Sequence, residues 1–276
     1  MEPKNGRIMT ARVVCKINQK GGVGKTTQAY HTARAGVRRG LRVLVIDLDP
    51  QGNLTSVATA EPFEADQIGI ADVLSPRTSE ALRDIIVPGI WDGMDVAPSN
   101  GAPLAAVQRE LVGVTAGREQ RLRAALQPVL EDYDLIVIDC GPSMDLLTTN
   151  ALVAADTVVI VSEAALFSID GLGQVLASVN EIRSYYNPTL TIAGVVLNKY
   201  KANTVSGQAW RRELIEGVEA QGVRLIQPIV PFHVPIQDSM EAALGLDEWK
   251  GSRVAPGTVE IYDRHLETII SEGAAK

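Results

Sequence analysis

The feature that most constrains this chain is an eight-residue stretch, Lys20-Gly21-Gly22-Val23-Gly24-Lys25-Thr26-Thr27. It follows an apolar run over 12–17 and opens a stretch of helical periodicity over 25–39 that Gly40 stops. A buried strand, a glycine turn and a helix in that order begin a βαβ unit. Val- and Ile-rich runs at 42–46, 134–138, 157–161 and 191–197 continue the alternation. Runs so uniformly apolar suit strands covered on both faces. The expected fold is α/β, a single doubly wound, mostly parallel sheet with helices on both faces. Between residues 53 and 101, Pro62, Pro76, Pro88 and Pro98 interrupt the pattern, which predicts loops and short helices there. With no internal repeat or low-complexity linker, the chain reads as one domain over 1–276 with residues 1–10 as a flexible lead.

The glycine turn carries a chemistry of its own. Gly21, Gly22 and Gly24 permit tight turns that aim successive backbone N–H groups, Val23 included, at an anion, and the following helix adds its positive end. The standard Walker A pattern has a glycine where this chain has Gln19, but the physical requirement is still met. Lys25 is placed to contact the β and γ phosphates of a nucleotide, the Thr26 hydroxyl to ligate Mg²⁺, and Thr27 to reach the α phosphate. The alternative is an ordinary glycine-rich turn with exposed lysines. Two lysines, three glycines and two threonines at this spacing are uncommon in such turns.

Two strand ends carry carboxylates. Asp139 closes the run Leu135-Ile136-Val137-Ile138, which puts it at the carboxyl edge where doubly wound sheets bind ligands. From there a Walker B aspartate holds Mg²⁺; a turn or helix-cap aspartate is the alternative. Asp47 and Asp49 follow the run over 43–46, just ahead of Pro50. They are either turn formers or functional groups, Asp49 orienting or deprotonating the attacking water and Asp47 supporting Mg²⁺ or its water shell.

At these residues the chain resembles the ParA/MinD family of deviant Walker ATPases, and within it the ParA-type DNA partition proteins. The resemblance rests on residues 20–27, 47–53 and 138–143, with support from Asn150-Ala151-Leu152, from Gly194 to Asn198 and from the Pro231 region. It implies an ATPase that takes ATP and Mg²⁺ and forms an ATP-dependent homodimer. Lys20 would cross to the partner's nucleotide and complete a catalytic set with Lys25 and Asp49. The resemblance also implies adenine contacts from Asn198 and the loop over 231–234, slow hydrolysis stimulated by a ParB-like activator, nonspecific DNA as the ligand of the ATP dimer, and a cytoplasmic, nucleoid-associated location. Two departures stand out. Cys140-Gly141-Pro142-Ser143 replaces the family's Cys-Pro-Pro-Ser, which predicts a more flexible switch loop, and Phe232-His233-Val234 lacks its Arg-Asn-Val pattern.

Composition matters where rival functions are weighed. With 26 Lys and Arg against 33 Asp and Glu, the net charge of −7 excludes a basic coat over the whole surface. Candidates for DNA are therefore local: Lys199, Lys201, Arg211 and Arg212, with a solvated face balanced by Glu213, Glu216 and Glu219 as the alternative. A MinD-like membrane helix would be basic and amphipathic. The last helical stretch, 258–273, has apolar Val259, Tyr262, Leu266, Ile269 and Ile270, but Glu260, Asp263, Glu267 and Glu272 outnumber Arg264. That stripe reads as core packing and predicts no membrane partner. Cys15 and Cys140 lie in apolar runs without a Cys-x-x-Cys pair, so they read as core residues and not as ligands of a carried metal cluster. About ten residues precede the first strand, too few for an operator-reading domain. The remaining alternative is a ParA-like ATPase that positions a protein assembly or acts at a membrane surface.

Overall fold

The five apolar runs all become strands. A computed structural model describes residues 10–64, 66–164 and 168–271. In chain order the strands are β1 (Arg12–Ile17), β2 (Val43–Leu48), β3 (Val87–Pro88), β4 (Met94–Ala97), β5 (Leu135–Cys140), β6 (Thr157–Glu163), β7 (Thr191–Asn198) and β8 (Leu225–Ile226). The helices are α1 (Lys25–Arg38), α2 (Asn53–Ala58), α3 (Ile70–Leu74), α4 (Leu82–Ile85), α5 (Ala102–Val112), α6 (Arg121–Leu126), α7 (Leu146–Ala154), α8 (Ser168–Tyr185), α9 (Val205–Ala220), α10 (Val234–Glu241) and α11 (Thr258–Ser271). The strands form one sheet in the order β3-β4-β2-β5-β1-β6-β7-β8, parallel throughout except for β3 against β4. Because β1 lies between β5 and β6, the winding reverses at the centre, and the carboxyl ends of β1, β2 and β5 open the crevice where such sheets bind ligands.

Strand alternation divides the core. Val13, Cys15, Ile136 and Ile138 pack one face against Leu104, Leu147, Val175 and Leu214 of α5, α7, α8 and α9. Val14, Val45, Val137 and Val159 pack the other against Ala29, Ile236 and Leu266 of α1, α10 and α11. The apolar stripe of α11 is thus spent on α1, as expected from its acidic balance. Among the described residues no helix is long and apolar enough to cross a membrane. Both cysteines are free and buried, and burial pushes the Cys15 thiol up to about 12. Most of the expected lead over 1–10, and the end of the helix expected to reach residue 273, lie outside the described residues.

Sequence patterning missed β3, β4 and β8, which have four residues or fewer each and too little alternation to register. It also missed the character of Lys16. This residue sits in β1 beside Asp139 of β5, is fully buried, and among the described residues its ammonium has no hydrogen-bond partner. Burial lowers its pKa to about 7. A lysine whose folded pKa lies below its unfolded value leaves stability intact at high pH and costs it as pH falls from about 10.5 toward 7. Lys16→Met is therefore expected to raise stability at pH 7 by on the order of 3 kcal/mol. The gain should shrink toward pH 10, and thermal denaturation across that range tests it; a destabilised variant at pH 7 would show that the ammonium has an uncounted partner.

Candidate nucleotide-binding site

Strand β1 runs into the glycine turn at Asn18, whose carboxamide is pinned at both ends. Its Nδ2 donates to the Val161 carbonyl of β6 at 2.5 Å, and its Oδ1 accepts from the Lys20 amide at 3.0 Å. Gly22 and Gly24 then take φ values of +76° and +90°, a left-handed geometry that helps turn successive amides into a concave nest. Helix α1 starts at Lys25 with no side-chain cap, which leaves its first N–H groups for an anion.

The turn floors a cleft of about 730 Å³, within the size range of small-molecule sites, and Gly21, Gly22, Gly24, Lys25, Thr26 and Thr27 all line it. Lys25 is only 6% exposed. Burial lowers its pKa, while Asp139, Cys140 and Asp49 favour its charged form. Val23 buries its side chain and presents backbone alone, whereas Lys20 is exposed and outside the cleft lining.

The three aspartates occupy three different situations. Asp49 lines the cleft; its Oδ1 accepts from the Gln51 amide at 2.9 Å, and its Oδ2 has no protein hydrogen bond. Asp47 is fully buried and outside the lining. Its Oδ1 accepts from the Asp49 amide at 3.1 Å, and its Oδ2 accepts from both the amide and the hydroxyl of Thr55 at 2.8 Å. Asp47 therefore organises the loop bearing Asp49 and the start of α2. Ser99 closes this network by donating its amide to Thr55 Oγ1 and its hydroxyl to the Asp49 carbonyl.

Asp139 is the register partner of Asp47 across β2 and β5 and is also fully buried, yet neither carboxylate oxygen makes a hydrogen bond of full geometry. Burial, reinforced by the Asp47 charge, raises its pKa; the Thr26 hydroxyl and the Lys25 ammonium oppose this. A buried, unsatisfied carboxylate next to a hydroxyl is a set of hard oxygen donors that fits Mg²⁺, an ion that keeps several waters and needs few protein ligands.

This arrangement has a pH signature. A carboxylate with a raised folded pKa contributes stability that is present in acid and lost as pH climbs out of the ordinary carboxylate range. Asp139→Asn mimics the protonated form, so without Mg²⁺ the variant should melt higher than wild type at pH 8 and equally near pH 4. Each kcal/mol recovered is worth roughly 2 °C. Added Mg²⁺ should raise the melting temperature of wild type only, and equal Mg²⁺ responses would place the metal site elsewhere.

The far wall of the cleft comes from β7 and the loop before α10. Asn198, Pro231, Phe232, His233 and Val234 line it. Lys199, expected on a DNA-facing surface, instead lines the cleft: its ammonium donates to the Gly22 carbonyl at 2.5 Å and pairs with Glu163 at 3.5 Å. Periodicity could not reveal this, because Lys199 adopts a left-handed φ of +53° that turns it back over the glycine loop.

The other three basic candidates do lie outside the cleft. Lys201 stacks on Phe232 at 4.5 Å, and Arg211 lies 5.9 Å from the centre of the Tyr200 ring. Arg211 and Arg212 line a second, open cleft of about 750 Å³ along α9, and among the described residues neither forms an ion pair despite Glu213 and Glu216 nearby.

His31, His233 and His265 bond through Nε2 to backbone groups of Ile236, Ala255 and Pro228. Burial lowers the pKa of His31 and of His265 to about 4. The loop after Asp139 does not use the freedom of Gly141, whose φ is not left-handed. Ser143, Asp145 and Thr148 lace the loop to the start of α7, with Asp145 accepting from the Leu147 and Thr148 amides.

A family model described as an AAA domain matches residues 11–192. Over 232 residues the chain is 37% identical to the chromosome partitioning protein ParA of Caulobacter vibrioides, covering 83% of each chain. It is 40% identical over 196 residues to the sporulation initiation inhibitor protein Soj of Bacillus subtilis, covering 71% of this chain and 76% of that one. The chain belongs to the ParA/MinD family of P-loop ATPases. Solved structures agree on the architecture of this ATPase. Cobyrinic acid a,c-diamide synthase from Mycobacterium smegmatis, with bound ADP and magnesium, matches with a TM-score of 0.78 at 26% identity over 96% of each chain. A putative plasmid partition protein from Borrelia burgdorferi bound to AMPPNP matches with a TM-score of 0.76 at 21% identity, covering 95% of this chain and 99% of that one.

Proposed function

We propose that this ParA-family chain is an ATP-driven dimerisation switch for DNA partition. The observation that carries the proposal is the separation of its two lysines: Lys25 is buried in the cradle, while Lys20 stands exposed outside the cleft of its own chain. A cation so placed is available to the nucleotide of a facing protomer, where it would neutralise charge in the transition state as an arginine finger does. Lys25 is the countercharge to the terminal phosphates, and Thr27 serves the α phosphate. Thr26 and Asp139 would hold Mg²⁺, which when bound neutralises phosphate charge. Asp49 accepts the proton of the water that attacks the γ phosphorus. The base would lie against Pro231 and Phe232.

The output would be binding of nonspecific DNA by the ATP dimer through Lys201, Arg211 and Arg212. A ParB-like activator would stimulate slow hydrolysis, in a cytoplasmic and nucleoid-associated setting. Two arginines without ion pairs among the described residues, in a chain of net charge −7, support this patch, since pairing two protomers doubles the phosphate contacts open to one duplex.

The test joins sedimentation with DNA binding. Wild type with ATP and Mg²⁺ should sediment as a dimer and bind random-sequence DNA with an affinity that falls steeply with salt. Arg211→Glu with Arg212→Glu should dimerise and hydrolyse ATP normally yet lose binding on all sequences alike, by about 10-fold or more. Undiminished DNA binding in the double variant would move the patch, and absence of ATP-dependent binding in wild type at low salt would sink the partition reading.

A further inference from the structure

Two consecutive carbonyls of the glycine turn are held from the same side by two consecutive side chains of β7 and its exit. The Asn198 Nδ2 donates to the Val23 carbonyl at 2.8 Å, and the Lys199 Nζ donates to the Gly22 carbonyl at 2.5 Å. The Asn198 carboxamide is committed at its other end as well, since its Oδ1 accepts from Nε2 of Gln28 in the first turn of α1 at 3.4 Å. The fit around it is close: a methyl group on Gly24 would run into Asn198 Nδ2, so that position needs glycine for space as well as for its φ. Lys199 holds the left-handed φ of +53° that non-glycine residues rarely adopt, and its ion pair with Glu163 helps keep it there.

A trans peptide is planar, with its C=O and N–H pointing in opposite directions. Fastening the Gly22 carbonyl toward Lys199 therefore turns the Val23 N–H away from Lys199. Fastening the Val23 carbonyl toward Asn198 does the same for the Gly24 N–H. We infer that Asn198 and Lys199 are positioning residues for the phosphate cradle: they set the Val23 and Gly24 amides toward the bound phosphates before nucleotide arrives, and Asn198 serves the phosphates in place of the adenine. Preset donors need no reorganisation when the anion binds, which is where such a site gains affinity. The inference rests on reading the glycine turn as the phosphate site.

The test uses the full chain and a base-free probe. Affinities for ATP and for inorganic tripolyphosphate would be measured by displacement of a fluorescent ATP analogue, for wild type, Asn198→Ala, Lys199→Gly and Lys199→Arg. Lys199→Gly suits the left-handed backbone, so it stays folded even if Asn198→Ala does not; because it also removes a cleft cation and its ion pair with Glu163, the Val23 amide resonance of the nucleotide-free protein then decides, and an unshifted resonance overturns the clamp. Asn198→Ala changes no charge, which separates loss of clamping from loss of attraction. The expected result is that Asn198→Ala and Lys199→Gly weaken ATP and tripolyphosphate by the same factor, about 10-fold, and that Lys199→Arg restores both. In amide NMR of the nucleotide-free protein, Lys199→Gly should shift the Val23 resonance.

Loss of ATP affinity with tripolyphosphate unchanged would show that Asn198 reads the base and overturn the clamp. So would wild-type affinities in both variants, or an arginine variant as weak as the glycine one. If wild type binds neither probe, the phosphate-site reading itself fails.

Discussion

Lys25→Ala should lower ATP affinity by about a thousandfold. Lys25 is 6% exposed and lies at the floor of the cleft, with the charges of Asp139 and Asp49 acting on its ammonium. Phosphate oxygens brought into this setting without the lysine would meet carboxylates with only backbone dipoles, the Thr26 and Thr27 hydroxyls and the more distant Lys199 to offset them. A unit charge pair at about 4 Å and an effective dielectric near 20 is worth about 4 kcal/mol, and each 1.4 kcal/mol is a factor of ten. Backbone N–H groups of the turn and of α1 survive the substitution, which is why the expected loss is large but finite. Equilibrium binding of a labelled ATP analogue checks the result; affinity within threefold of wild type would remove Lys25 from the site.

Asp49→Ala should leave ATP affinity within a few-fold of wild type while reducing turnover by about 10² to 10⁴. The choice of Asp49 over its neighbours follows from what each carboxylate is already doing. Both Asp47 oxygens are occupied by Thr55 and the Asp49 amide, and Asp139 lies fully buried outside the cleft lining. Of the three, Asp49 alone lines the cleft, with an oxygen that has no hydrogen bond among the described residues. Because its Oδ1 also holds the Gln51 amide, alanine changes loop structure as well as chemistry. Asp49→Asn keeps that acceptor and loses only basicity, so it should be as slow as alanine. Phosphate release under single-turnover conditions, with dimer lifetime followed by sedimentation, separates chemistry from product release. Normal turnover in the asparagine variant would take Asp49 out of the proton transfer.

These two expectations differ in how visible they were before folding. The cradle's composition is local: glycines, lysines and threonines within eight residues supply the backbone freedom and charge of an anion nest, and an apolar run on one side with helical periodicity on the other sets its entry and exit. For the same reason the strand-end aspartates, the burial of both cysteines and the core-facing stripe of α11 could be read from spacing alone. The position of Asp139 needed only the knowledge that its run is a buried strand.

What could not be read there depended on partners distant in the chain. Asp47 and Asp49 are equivalent in sequence, two carboxylates one residue apart, and only the arrival of Thr55 and Ser99 at the carboxyl end of β2 commits one and leaves the other open. Lys199 is 177 residues from the carbonyl it holds. Its departure from the basic surface expected of it follows from a single left-handed residue at the exit of β7. Lys16 reads as one polar residue in an apolar strand, and only the packing of α1 and α11 over that face denies its ammonium a partner. The sequence by itself determined the strands of the sheet's centre and the glycine turn that opens α1, because both arise from short-range periodicity and local backbone freedom. The tertiary structure alone decided that both Asp47 oxygens are taken up by Thr55 and the Asp49 amide and that Lys199 turns into the cleft, because hydrogen-bond commitment and burial are properties of residues brought together across the whole sheet.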